Sequence, residues 1–262
     1  MKKNGIILIS AIILFMQGIP AFGWGSKGHE VIASIAEAHL NKRTKKEVRK
    51  LLDGHTMVYY ATWMDEIRND PAYAFTRTWH YANVDEGKTY ETMDKQPDGD
   101  VVTATLLSIK QLKNKNLSDS VRSEYLKYLI HMIGDMHCPM HAGRATDRGG
   151  NDYPVVWKKE KTNLHRVWDD LLINEAKKWN TIEWAAYIDV DMNKKQRKAI
   201  EAGGPLDWFK ESVVVAKDIY DNTPENQEIP TKDYVRKYTP VVEGQFLKAG
   251  YRLAGLLNMI FK

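Results

Sequence analysis

Residues 118–141 read SDSVRSEYLKYLIHMIGDMHCPMH, and two patterns are superimposed in them. Val121, Tyr125, Tyr128, Leu129, Met132, Ile133 and Met136 recur at helical spacing, which predicts a core-facing helix over 118–137. His131 and Asp135 lie one turn apart and project together from the shoulder of that stripe, half sheltered by apolar neighbours. Pro139 cannot continue the helix, so His141 turns back toward the same cavity. A long buried helix carrying paired polar ligands makes this a mainly α protein.

The rest of the chain repeats the helical spacing. Val31, Ile32, Ile35 and Ala36 form a stripe after Gly28-His29, and further helices are expected at about 44–53, 59–68, 102–114, 163–178, 205–221 and 240–260. Strand signals are scarce. Tyr153 to Trp157 follows the Gly149-Gly150-Asn151-Asp152 turn cluster and predicts a short β-hairpin near 152–157. The polar segments 84–101 and 222–238 read as loops, neither long nor biased enough to divide domains, and no internal repeat is present. The expectation is a single helical domain over 24–262.

The amino terminus reads as a cleaved signal peptide over 1–23. Met1-Lys2-Lys3 is a positive start, the run from Ile6 to Met16 is apolar, and Ala21-Phe22-Gly23 places cleavage before Trp24. A retained anchor is the rival, but about 11 apolar residues fall short of the roughly 20 that span a bilayer. The mature protein is therefore expected to be secreted or periplasmic, with no membrane anchor. Export normally invites disulfides, yet Cys138 is the only cysteine, so stability must come from a core, with bound metal as a further source. The formal charge of +4 becomes +2 once Lys2 and Lys3 leave, because residues 1–23 hold no acid. That is too little for an electrostatic track along nucleic acid, so any phosphate binding must be local.

Five His and three Asp stand out: His29, Asp65, His80, His131, Asp135, His141, His165 and Asp169. A lone HxxxD pair suits an ordinary surface hydrogen bond. Here His131 with Asp135 and His165 with Asp169 both occur, and the first runs on into His141. Imidazole with carboxylate in an exported chain without cysteine pairs reads as zinc chemistry, and about four ligands per ion means more than one ion. Asp65 and Arg68 share a helical face, as a surface ion pair or as a ligand beside a phosphate-binding guanidinium. Trp79-His80-Tyr81 reads alone as a core histidine between aromatics, and as a ligand only in company. Cleavage before Trp24 would free an α-amino group with a pKa near 7.7 to 8.0, able to chelate together with the Trp24 carbonyl, five residues before His29.

Across these residues the chain resembles the secreted zinc-dependent S1/P1-type nucleases, which are related to bacterial zinc phospholipase C. The resemblance runs from Trp24 to the C-terminal helix. It rests on Trp24-Gly-Ser-Lys-Gly-His29, Trp63-x-Asp65-x-x-Arg68, Trp79-His80-Tyr81, the His131 to His141 motif, Asp147-Arg-Gly-Gly-Asn151-Asp152 and Asn163-Leu-His165-Arg-Val-Trp168-Asp169. The resemblance implies a mainly α-helical fold of the phospholipase C/P1 nuclease type and three zinc ions. Asp65, His80, His131 and Asp135 would hold one; His141, His165 and Asp169 the second; and Trp24, His29 and Asp135 the third, with Asp135 bridging.

The implied activity is hydrolysis of single-stranded DNA, RNA and 3′-mononucleotides to 5′-phosphate products by a zinc-activated hydroxide. Asp65 would orient the water and Arg68 would offset phosphoryl charge. Tyr81 would stack the base, with Asn83 and Asn151 lining its pocket. Asn83 stands where relatives can carry Asp, which leaves base preference open, and Cys138 stands where Gln is usual; Cys138 is expected as a small packed residue. His39 and His55 are expected on the surface or in helix packing, and His137 as a hydrogen-bond partner behind the ligands. Two other functions fit the metal set. One is a phospholipase C-type phosphodiesterase, against which Asp169 in place of Glu counts. The other is a zinc protein without turnover, against which the open ligand positions count.

Overall fold

The stripe in residues 118–137 forms one helix, Asp119–His137, whose start is capped by Ser118 Oγ accepting the Val121 N–H at 3.3 Å. The computed structural model describes residues 24–190 and 192–262, so the signal-peptide reading of 1–23 lies outside the described residues. In chain order the helices are α1 (Ser26–Ala38), α2 (Lys42–Leu51), α3 (Trp63–Glu66), α4 (Val101–Lys113), α5 (Asp119–His137), α6 (Leu164–Arg166), α7 (Leu172–Ala176), α8 (Thr181–Ile188), α9 (Lys194–Glu201), α10 (Pro205–Asp221) and α11 (Thr231–Ile260). A wide π-type turn, Val167–Leu171, joins α6 to α7. The described fold is mainly α, as expected.

α5 is the centre of the packing. Helices α1, α4, α10 and α11 lie against it, and from Tyr128 to His137 every residue is buried. The stripe begins outside the core, since Val121 is 38% exposed, and the far end is enclosed on all sides. His131 and Asp135 are therefore fully buried, which corrects the half-sheltered placement that one apolar stripe suggested. The helix stops at Cys138, and Pro139–Ala142 makes a tight 3₁₀ turn that carries His141 back under α5.

The hairpin is present, slightly displaced along the chain. Strand β1 (Pro154–Trp157) pairs antiparallel with β2 (Glu160–Asn163), and Lys158 and Lys159 turn between them at positive φ. β2 ends in Asn163, whose side chain accepts the Arg166 N–H at 2.8 Å and so starts α6 just before His165. Three expectations change. α8 and α9 were not expected, and the supposed loop 222–238 gives way to helix from Thr231 onward. Pro240, the expected start of the last helix, lies inside α11, where Tyr234, Tyr238 and Val242 continue a buried stripe through it. Burying that stripe outweighs the one hydrogen bond that Pro240 removes.

Candidate active site

Eight expected ligand side chains arrive at one place from separate elements. His29 comes from α1, Asp65 from α3, His80 from the turn that follows Thr76, and His131 and Asp135 from α5. His141 comes from the 3₁₀ turn, His165 from α6 and Asp169 from the π-type turn. Asp135 is their hub. Its Oδ1 lies 3.3 Å from His29 Nε2 and 3.5 Å from His141 Nδ1, while Oδ2 lies 2.9 Å from His80 Nδ1 and 3.1 Å from His131 Nε2. One carboxylate thus faces two groups of imidazoles with different oxygens, as a bridging ligand must. Asp65 Oδ1 closes the first group, 3.5 Å from His131 Nε2 and 3.7 Å from His80 Nδ1. In the other direction His165 Nε2 is 2.9 Å from Asp169 Oδ2.

The tautomers are set from outside the cluster. His131 Nδ1–H donates to the Ala61 carbonyl at 2.8 Å, His141 Nδ1–H to that of His80 at 2.6 Å, and His165 Nδ1–H to that of Gly149 at 2.6 Å. Each leaves Nε2 as a lone pair, the form a metal needs. Gly149 sits between Arg148 and Gly150 in a run of positive φ, and a Cβ there would run into the Met140 carbonyl, so the Asp147-Arg-Gly-Gly-Asn151 turn is built to bring that acceptor to His165.

The donor set fits a metal. His29 Nε2, Asp65 Oδ1, His80 Nε2, His131 Nε2, Asp135 Oδ1, His141 Nε2, His165 Nε2 and Asp169 Oδ2 are all buried without a hydrogen-bond partner. Three pairs of these atoms, His29 Nε2 with Asp135 Oδ1, His131 Nε2 with Asp65 Oδ1 and His165 Nε2 with Asp169 Oδ2, lie within 3.5 Å yet make no hydrogen bond, as lone pairs aimed at a shared point would. Buried polar atoms are rarely left so, and a cation satisfies them together. Donor atoms of His29, His131 and Asp135, of Asp65, His80 and His131, and of Cys138, His141 and Asp169 each fall within 4.8 Å of one another. Cys138 is the unexpected member.

Charge follows the same geometry. Burial would raise Asp135, but His131 and His141 hold it well below the usual carboxylate range. Burial likewise opposes protonation of His131, but Asp135 and Asp65 raise it well above an ordinary histidine. Burial takes His141 down to about 3 and Asp169 up to about 6. The carboxylates demand positive charge at this spot.

The cluster floors a cavity of about 430 Å³, whose walls include Arg68, Tyr81, Asn83 and Asn151, each expected there from the sequence. Arg148, Met93, Asp94 and Gln96 also line it, and the sequence reading missed them. The last three belong to the segment 84–101, which is tied beside His80 by Trp79 Nε1–H donating to the Asp98 carbonyl at 2.7 Å and Thr78 to that of Gly99 at 2.7 Å. Trp24 is fully buried, edge-on to Phe246 at 4.9 Å, and the next residue's N–H donates to the Asp169 carbonyl at 2.6 Å. His137 departs from its expected place behind the ligands. Its Nδ1–H donates to the Ile133 carbonyl, and its Nε2 accepts from Arg252 at 2.9 Å, on the side of α5 facing α11. His39 packs on Tyr251 and bonds Asp189, and His55 stacks on Tyr59 at the surface.

Fold and site together define a helical protein with a candidate metal centre at the floor of a cleft. The family model for S1/P1 Nuclease matches residues 24–262. Endonuclease 4 of Arabidopsis thaliana is 30% identical over 277 residues, covering 92% of this chain and 90% of its own. Endonuclease 3 of the same plant is 29% identical over 281 residues, 97% of this chain and 94% of its own. Nuclease S1 of Aspergillus oryzae is 27% identical over 281 residues, 97% of either chain. The chain belongs to the S1/P1 nuclease family, which makes it a nuclease-type phosphodiesterase and suggests zinc as the ion.

Proposed function

We propose that the mature protein begins at Trp24, is secreted or periplasmic, and uses three zinc ions to hydrolyse single-stranded DNA, RNA and 3′-mononucleotides to 5′-phosphate products. No helix among the described residues is long and apolar enough to cross a membrane. The observation that carries the reading is the set of eight buried, unpartnered ligand atoms under a cleft that also holds an aromatic ring and guanidinium groups. Asp65, His80, His131 and Asp135 would hold one ion; His141, His165 and Asp169 a second; the Trp24 amine and carbonyl with His29 and Asp135 a third. Zinc bound there supplies acidified water and Lewis acidity.

The chain's own groups do the rest. Asp65 is the least enclosed of the ligand carboxylates, and its spare oxygen orients a water for in-line attack on phosphorus. Arg68 donates to the phosphoryl oxygens as their charge rises. Tyr81 offers a face to the base, a contact that needs an unpaired base and tolerates any sequence. Asn83, whose Oδ1 is buried without a partner, and Asn151 meet the base edge. One stacked base and one clamped phosphate suit a chain whose formal charge of +4 falls to +2 without residues 1–23.

The test pairs elemental analysis of the mature protein with the ends left on a short single-stranded oligonucleotide. Three zincs and 5′-phosphate ends are expected. Arg68→Ala should keep its zinc and lose about 10²-fold in kcat, the scale of removing one donor to transition-state charge. Zinc-replete protein that leaves single-stranded DNA, RNA and 3′-AMP intact would overturn the reading, as would lipid cleavage with DNA untouched.

A further inference from the structure

Cys138 is fully enclosed at the junction between α5 and the turn bearing His141. Its backbone is fixed on both sides, the N–H donating to the Asp135 carbonyl at 2.9 Å and the carbonyl accepting the His141 N–H at 3.0 Å. The sulfur meets the Met140 N–H from the backbone side and a carboxylate on the other. Sγ lies 3.4 Å from Asp169 Oδ1, while the other oxygen, Oδ2, faces His165 Nε2 at 2.9 Å and has no hydrogen-bond partner. The two carboxylate oxygens are thus assigned different tasks. Asp169 is further pinned by its own carbonyl, which accepts the Gly25 N–H.

We propose that Cys138 is a positioning residue whose neutral thiol donates to Asp169 Oδ1 and turns the carboxylate so that Oδ2 alone faces the ion shared with His141 and His165. The inference rests on the zinc reading given above. Sulfur could instead bind the ion directly, since its distance to the donor atoms of His141 and Asp169 is within 4.8 Å. The contact with Oδ1 argues against that. Sγ sits against Oδ1, while the oxygen that faces His165 is Oδ2, so the S–H is placed to donate to the carboxylate from the side away from that imidazole. Groups that orient a ligand from behind typically change metal affinity 10- to 100-fold when removed.

The experiment titrates zinc against a chromophoric chelator in wild type, Cys138→Ala and Cys138→Ser, and records the near-ultraviolet spectrum of each cobalt-substituted protein. Cys138→Ala should weaken one bound zinc by about 10- to 100-fold. Cys138→Ser keeps a donor and should come back to within a few-fold of wild type. The wild-type cobalt protein should lack the thiolate charge-transfer band that a sulfur ligand gives. Unchanged affinity in Cys138→Ala, or a folded Cys138→Ser as weak as the alanine variant, overturns the proposal. A cobalt–thiolate band lost in Cys138→Ser overturns it in favour of direct ligation. Wild-type protein that takes up no zinc overturns the zinc reading itself, a result distinct from the other three.

Discussion

Gly134 lies directly under the His29 ring: a Cβ at 134 would stand 2.6 Å from His29 Nδ1 and 2.8 Å from its Cε1. α1 and α5 approach so closely only because this helical position has no side chain, and the approach stacks His29 on His131 with ring centres 3.9 Å apart. Gly134→Ala gains about 1 kcal/mol of helix propensity but costs about 1 to 3 kcal/mol in overpacking. The overpacking falls on a proposed ligand. The variant should lose one zinc by elemental analysis and most activity while its circular dichroism stays helical. Full zinc content in Gly134→Ala would refute the dependence.

The amino terminus gives a second prediction. Trp24 is buried and Gly25 is tied to Asp169, so the start of the proposed mature chain is anchored beside the cluster. A free amine there has a pKa near 7.7 to 8.0 and can lose its proton to bind a metal; an amide nitrogen is no such donor. Protein with a single residue added before Trp24 should carry two zincs in place of three and lose most of its turnover. Equal zinc and equal activity in the extended protein would reject the backbone ligand.

Much of this arrangement is legible in the sequence because α5 announces itself twice, through its apolar spacing and through His131, Asp135 and His141. The eight His and Asp side chains that the structure brings together are likewise recognisable, since their chemistry is carried by residue type. What escaped depends on packing. Cys138 reads as a small residue until Asp169 is brought beside it, and Met93 and Gln96 reach the cleft along an irregular path tied down by Trp79 and Thr78. His137 sits within the ligand motif, yet its place on the helix turns it toward Arg252. α8 and α9 did leave a signal. Asn180 with Glu183 and Asn193 with Gln196 form capping boxes, but each helix is only 8 residues long, too short for periodicity to stand out.

Chelation should cost stability as well as activity. Withdrawing metal would leave the eight proposed ligand atoms buried and unpaired. Metal held at about 100 times its dissociation constant stabilises by about 2.7 kcal/mol per site. At roughly 2 to 4 °C per kcal/mol for a domain of this size, one site corresponds to about 5 to 10 °C in Tm. Calorimetry before and after EDTA, with zinc removal verified, should show at least that drop, reversed by added zinc. An unchanged Tm would mean that the fold does not depend on the ions.

His137 sets a pH dependence separate from the cleft. Burial, reinforced by Arg252, lowers it from 6.5 to about 3, and the ring stays neutral with Nδ1–H on Ile133 and Nε2 accepting from Arg252. Above pH 6.5 it is neutral folded and unfolded, so it imposes no penalty. As pH falls below 6.5 the unfolded chain takes up a proton that the folded chain refuses, and stability declines until about pH 3, by about 5 kcal/mol in all. His137→Gln lacks this linkage. Urea unfolding of metal-free wild type and variant from pH 7.5 to 4 should show the wild type losing about 3 kcal/mol more than the variant over that range. Parallel stability curves would show that position 137 takes up no extra proton on unfolding.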